Sequence, residues 1–278
     1  MSDPLPDPAP AAAPGTPAPK GSPKARAMTR AAVRHAAPFL VWIGVMLVGS
    51  LMHLTPSSGT EEAASVDVVS DAGLYAIRTA LCLLALVLLR PWTHYRGLFR
   101  PRHLPAALLV GAAVFALWVV PSAEWFRALA PGLARAYETW CVRPFGSMRD
   151  LADAAAKTAG LYAPAATGWP LFALHMVGTG LAIAVAEEFF WRGYLLRAAR
   201  TPDFLDLPIG EFHALSFLAV TAVFAAEHAE FAAGFLAGAA YGLLYLRTRD
   251  IWAACVAHAA TNTLLGLYVL ATGHWEFW

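Results

Sequence analysis

Residues 169–189 read WPLFALHMVGTGLAIAVAEEF. No Asp, Glu, Lys or Arg interrupts the run until Glu187 and Glu188 close it. A helix needs about 20 apolar residues to cross the hydrocarbon core of a bilayer, and this stretch supplies them. It is therefore expected to be a transmembrane helix that carries two adjacent carboxylates, which is the feature a purely structural span would avoid.

Six more apolar blocks flank it, at roughly 36–54, 72–90, 104–121, 213–228, 231–246 and 251–271 by the same spanning-length criterion. The blocks at 213–228 and 231–246 are short for independent spans and are expected to be tilted, broken or protein-buried helices. The partly polar stretch AEWFRALAPGLARAYETW, within 122–160, has helical spacing and adds a candidate eighth helix. The expected fold class is all-α, a polytopic transmembrane helical bundle of about seven to eight spans. Its expected organisation is a Pro/Ala-rich disordered cytoplasmic arm (1–35), a set of N-terminal transmembrane helices with a connecting loop (36–167), and a catalytic helical core (168–278).

Composition agrees with a bilayer protein. Of 278 residues, 58% are hydrophobic and 14% charged, against about a quarter charged in a soluble domain. A net charge of +1 provides no field for nucleic acid, so none is expected as a partner. Three scattered cysteines (Cys82, Cys141, Cys255) form neither a disulfide framework nor a cysteine zinc site. The N-terminal PLPDPAPAAAPGTPAPKGSP lacks the apolar core of a secretory signal, and Met28 is an alternative start.

Basic residues orient the bundle. Lys20, Lys24, Arg26, Arg30 and Arg34 precede the first block, and an acidic loop, TPSSGTEEAASVDVVSD, follows it. Arg90, Arg96, Arg100 and Arg102 follow the second block, Arg192, Arg197 and Arg200 the fourth, and Arg247 and Arg249 the sixth. All fall on one side if the N-terminus is cytoplasmic. The expected location is a bacterial inner membrane, N-terminus inside.

An ionisable group in a membrane helix costs at least ~2.5–3.5 kcal/mol on insertion scales, so it needs a partner or a purpose. Three clusters stand out: AVAEEFFWRGYLLR with Glu187, Glu188 and Arg192; VFAAEHAEF with Phe224, Glu227, His228 and Glu230; and CVAHAATN with Cys255, His258 and Asn262. Glu188 and Arg192 are four apart, share a helix face and can pair. Glu187 points about 100° away and is left free for general-base work. His228 sits four after Phe224, which gives the imidazole an apolar floor. His258 and Asn262, again four apart, put two potential donors side by side for an oxyanion. Each cluster alone has an ordinary reading as an ion pair, a wet loop or interhelical hydrogen bonding. The three together read as a site.

The order Glu187-Glu188-x-x-x-Arg192, Phe224-x-x-x-His228, His258-x-x-x-Asn262 resembles the signature of the CPBP family, the CAAX-type prenyl endopeptidases and their bacteriocin-processing and immunity-like relatives. The resemblance covers about residues 168–272. It implies an intramembrane endopeptidase acting on a membrane-associated or lipidated peptide. Glu187 would be the catalytic glutamate, His228 its helper in activating water, and His258 and Asn262 the oxyanion site, with Glu188, Arg192 and Phe224 supporting. The family has been described both as metallo-endopeptidases and as metal-free glutamate/histidine enzymes. Glu187, His228 and His258 would form a zinc set with one open position. The absence of a His-Glu-x-x-His helix favours the metal-free form.

A non-proteolytic immunity-type or scaffold protein of the same fold is the main alternative. A proton-coupled transporter is another, disfavoured by the lack of an internal repeat, and a cysteine protease using Cys255 a minor one. Helix rise sets one geometric condition: His228 would lie about 20 Å along an outward fifth span, and His258 only about 10 Å along its own. The site closes only if the fourth helix extends past Arg192 or if the fifth and sixth are short and tilted.

Overall fold

The structure is a computed structural model that describes residues 19, 21–52, 61–95, 100–142, 151–228 and 230–278. The main helices of these residues are α1 (Pro23–Met52), α2 (Glu61–Leu89), α3 (Leu104–Val119), α4 (Glu124–Leu129), α5 (Pro131–Tyr137), α6 (Leu151–Tyr162), α7 (Trp169–Ala198), α8 (Ala214–Ala226), α9 (Phe231–Thr248) and α10 (Ile251–Thr272), with a single further turn at Pro164–Thr167. There is no strand among the described residues. Five helical segments are long and apolar enough to cross a membrane: Pro23–Gly49, Asp71–His94, Pro101–Ser122, Trp169–Ala198 and Ile251–Thr272. The chain is an all-α polytopic integral membrane protein, with α8 and α9 as further apolar helices of the bundle. Outward-facing leucines such as Leu109 (72% exposed) and Leu215 (74% exposed) mark the surface that lipid covers.

Three expectations about the first half need correction. Helix α1 begins at Pro23, so residues 23–35 are helix rather than part of a disordered arm; residues 1–18 and 20 lie outside the described set. Ser22 caps the new start by accepting from Ala25 N at 3.1 Å, Pro23 occupies the first helical position, and Ala-, Arg- and Met-rich sequence carries the helix onward. Lys24 reaches Asp203 (3.0 Å) and Asp206 (2.6 Å), which ties this end to the loop after α7. Next, EEAASVDVVSD is not loop, because α2 is helical from Glu61; residues 53–60 and Arg96 lie outside the described set. Finally, the described residues of 122–160 hold no single eighth span. Pro131 lacks an N–H and starts a new helix, so the described part divides into α4, α5, a π-helical turn over Glu138–Val142, and α6.

The bundle packs through small residues. On α9, Gly234, Gly238 and Gly242 lie four apart and face α8. Added Cβ atoms there would meet His228 Cβ at 3.1 Å, Phe224 Cδ1 at 3.0 Å and Phe217 Cε2 at 2.8 Å. The glycine row thus seats the aromatic row of α8 and sets the depth of His228. On α3, a Cβ at Gly111 would lie 2.6 Å from Ala257 O and 2.9 Å from Ala260 Cβ. Thr261 Oγ1 donates to Gly111 O at 2.9 Å and accepts from Tyr241 OH at 2.7 Å, linking α3, α10 and α9 in one chain of bonds. Gly111→Val is expected to destabilise the protein by about 1–3 kcal/mol, the usual cost of overpacking. Thermal unfolding in detergent checks this.

Two starts are fixed by one carboxylate. Asp250 Oδ1 caps α10 by accepting from Trp252 N (3.1 Å), and its Oδ2 accepts from Arg100 N (3.3 Å) and pairs with His103 Nδ1 (2.9 Å) at the foot of α3. In the loop after α7, Arg200 Nη2 donates to Glu211 Oε1 at 2.7 Å, and this bond holds the Glu211 carboxyl below its usual range.

Candidate active site

Helix α7 carries the first motif and is irregular on both sides of it. Residues Gly178–Ala182 and Phe189–Leu195 are π-helical, with a regular segment, Ile183–Glu188, between them. Such bulges widen a helix locally and are common where side chains must be re-aimed. Continuity to Ala198 means that α7 does extend past Arg192, and α8 is only 13 residues long. The first of the two conditions that bring His228 and His258 to a common level is met; for the second, α8 is short but α9 runs 18 residues.

Glu187 and Glu188 are separated in role by their partners. Glu188 is fully buried, and its Oε1 accepts from Arg192 Nη1 at 2.8 Å and from His258 Nδ1 at 2.9 Å. Arg192 spends a second donor, Nη2, on Gly238 O at 2.9 Å, and its guanidinium lies 4.5 Å from the Phe224 ring centroid. Glu187 has no such commitment. Its side chain is 14% exposed, Oε2 is buried without a hydrogen-bond partner, and that oxygen stands 4.0 Å from His258 Nε2.

The two histidines are oriented from behind. His228 Nδ1 lies 2.8 Å from Phe224 O, an acceptor only, so Nδ1 carries the proton and Nε2 presents a lone pair. Phe224 (4.7 Å between ring centroids) and Trp118 (5.4 Å) flank the ring. His258 stacks on Tyr241 at 4.9 Å and 20°. Its Nδ1–H points at the Glu188 carboxylate, which aims Nε2 at Glu187. Asn262 Nδ2 donates to Thr179 O on α7 at 2.9 Å.

A cavity of about 330 Å³ brings these groups together. Glu187, His228, His258 and Asn262 all line it, along with Phe224, Tyr241 and Thr261. Glu188 and Arg192 stand behind the wall. Cys255 is buried, 2% exposed, and is not among the lining residues, so the placement gives no support to a cysteine nucleophile. Several lining residues escaped the sequence reading. Tyr241 lies in an apolar block with no signal to mark it, whereas Arg78 was visible as a lone charge within the 72–90 block.

The donor set does not fit zinc in this arrangement. Among the described residues, no group of three or more His, Cys, Asp and Glu side chains is placed to hold a metal ion. Two ligand atoms at zinc bonding distance in a tetrahedron lie about 3.3–3.5 Å apart, shorter than the 4.0 Å between His258 Nε2 and Glu187 Oε2. Glu187, His228 and His258 line the cavity without forming such a group.

Fold and site together define an integral membrane protein with a glutamate/histidine constellation in a cavity between its helices. Residues 169–264, which hold all three motifs, match the family model described as Type II CAAX prenyl endopeptidase Rce1-like. The segment from α7 into α10 is therefore what makes the chain similar to the CPBP family. No curated protein and no solved structure matches the chain.

Proposed function

We propose that this protein is an intramembrane endopeptidase that hydrolyses a peptide bond of a membrane-associated or lipidated peptide. The observation that carries the proposal is the state of Glu187: a buried carboxylate oxygen without a partner, facing His258 Nε2 across 4.0 Å in a cavity shared with His228 and Asn262. A base and a pair of donors lining one cavity are what hydrolysis of an amide needs.

In the proposed reaction, water lies between Glu187 and the Nε2 lone pair of His228. Its oxygen attacks the peptide carbonyl carbon while Glu187 takes its proton. The carbonyl oxygen becomes an oxyanion and accepts from the Asn262 amide and from His258 Nε2. Donation from Nε2 requires the doubly protonated ring, since Nδ1–H is already given to Glu188. The proton on Glu187 then passes to the departing nitrogen, the C–N bond breaks to give a carboxylic acid and an amine, and the second proton of the water passes from acid to amine, so that a carboxylate and an ammonium leave. Glu188 acts through His258 rather than on substrate, and Arg192 balances Glu188.

No step of this scheme calls on a metal. Purified protein in liposomes is expected to cleave a farnesylated, fluorescence-quenched peptide ending in three aliphatic residues, and to retain its rate in 1,10-phenanthroline. No cleavage of any lipidated peptide would count against the endopeptidase reading, and loss of activity restored by zinc would count against the metal-free form alone. The basic residues Arg90, Arg100, Arg102, Arg200, Arg247 and Arg249 support a cytoplasmic N-terminus.

A further inference from the structure

Contacts between loops fix which helix ends lie together. Lys24, at the start of α1, reaches Asp203 and Asp206 after α7. His103, at the foot of α3, pairs with Asp250 at the foot of α10. An added Cβ at Gly210, before α8, would lie 2.9 Å from Arg249 Cγ, after α9. Helix α10 is antiparallel to α7, since Asn262 meets Thr179 and His258 meets Glu188. Helix α2 is parallel to α7: Tyr75 OH donates to His175 O at 3.1 Å, and Cys82 Sγ lies 3.9 Å from Ala182 O. So α1, α3, α8 and α10 start at the end of the bundle where α2, α7 and α9 finish. That end carries Lys24, Arg90, Arg100, Arg102, Arg200 and Arg249. Among the described residues, the cations at the opposite end are Arg127, Arg135 and Lys157, interspersed with Asp71, Glu124, Glu138 and Glu230.

The cavity extends away from the basic end. By helix rise, Tyr241 stands about 9 Å from Arg247, His258 about 12 Å from Asp250 and Glu187 about 12–15 Å from Arg197. The rest of the wall lies deeper, with Thr179 and His175 on α7, Trp118 near the finish of α3 and Leu265 on α10. His175 is about 16–18 Å beyond Glu187 along α7. Trp278, from the segment after α10, also lines the cavity and packs on His175 with 4.2 Å between ring centroids. On the basic side the way is packed shut. Glu188, Arg192, His258 and Gly238 O are bonded to one another. Beneath them Phe189, fully buried, packs on Tyr95 and Trp252.

We infer that the cavity opens at the end opposite the basic one, so that the substrate is a peptide segment presented on the extracytoplasmic side of the membrane. This rests on the endopeptidase reading above and adds to it the compartment and class of substrate. Lys and Arg beside the spans stay on the cytoplasmic side, which puts the packed floor of the site toward the cytoplasm and its mouth toward the outside. Water and peptide then reach Glu187 from outside, although the cytoplasmic face is the nearer one. The polypeptide that is cut has therefore already been exported and remains anchored in the bilayer, and the step that supplies it is translocation across the same membrane.

The test labels thiols with a membrane-impermeant methanethiosulfonate, added to spheroplasts of a bacterial host or to inside-out vesicles from the same cells. Cys82 and Cys255 are buried, and Cys141→Ser removes the remaining native thiol. In that background Thr179→Cys is expected to react at least 10-fold faster in spheroplasts, and Arg249→Cys at least 10-fold faster in inside-out vesicles. Reaction of Thr179→Cys from the same side as Arg249→Cys, or from neither side, overturns the inference, as does reaction of Arg249→Cys in spheroplasts. Met46→Cys, also on the cavity wall, repeats the comparison if Thr179→Cys fails to accumulate. A turnover arm offers both preparations a charged, lipid-anchored quenched peptide that cannot cross the bilayer. Cleavage is expected to be at least 10-fold faster in spheroplasts, and equal or reversed rates overturn the inference. No cleavage in either preparation would instead sink the endopeptidase reading, and the labelling would still decide which side the cavity faces.

Discussion

Glu187→Gln is expected to lower cleavage of a lipidated peptide by about 10²–10⁴-fold, the range attributed to a positioned general base, with KM little changed and the fold intact. The carboxamide keeps the size of the side chain and can still fill its place beside His258. It cannot take a proton from water. The folded state has little to lose, because Oε2 of Glu187 makes no hydrogen bond that the substitution would break. The measurement is turnover of the quenched peptide in liposomes, with thermal unfolding as the control. Activity within threefold of wild type would remove Glu187 from the chemistry. The same variant separates the competing readings. A scaffold or immunity-type protein keeps its function in Glu187→Gln, and a proton-coupled transporter loses proton flux without ever having shown cleavage.

Much of this site was legible before any coordinates, because the bilayer penalises charge so heavily that a polar residue in an apolar block is itself a signal. The i, i+4 spacing of Glu188 with Arg192 announced a pair, and the two side chains do meet at 2.8 Å. The spacing of His258 with Asn262 put both on one face, and both line the cavity. What spacing cannot carry is contact between helices. Nothing in the sequence says that Glu188 holds His258 Nδ1 as well as Arg192, since 70 residues separate the glutamate from the histidine. Nor does it say that Asn262 reaches the backbone of Thr179. Arg78 shows the other limit: as a single charge in the second block it had no motif neighbours, and only the packing of α2 against Gly178 brings it to the cavity. The helix ends were the least legible feature. Apolarity marks where lipid begins, whereas the helix of α1 starts at the Ser22 cap, well before the apolar run.

Arg192→Met is expected to destabilise the protein by about 3–5 kcal/mol, the cost of stranding one member of a buried ion pair. The guanidinium is 4% exposed and its partner carboxylate 0%. It satisfies Glu188 Oε1, caps the carbonyl of Gly238 and lies against Phe224, so one substitution releases three contacts on three helices. Glu188 Oε2 already lacks a partner, which leaves the carboxylate dependent on Arg192 and His258 alone. If the loss comes from the stranded charge, a second substitution that removes the charge should recover much of it. Glu188→Gln on the Arg192→Met background is accordingly expected to be more stable than Arg192→Met alone, even though Glu188→Gln by itself lowers stability. Thermal unfolding of the four proteins in one detergent closes the cycle. Simple additivity would mean that Arg192 acts through packing on Phe224 and the Gly238 carbonyl, and that Glu188 is held chiefly by His258. In either case the double variant should remain nearly inactive, because a neutral residue at 188 no longer sets the imidazole of His258 against Glu187.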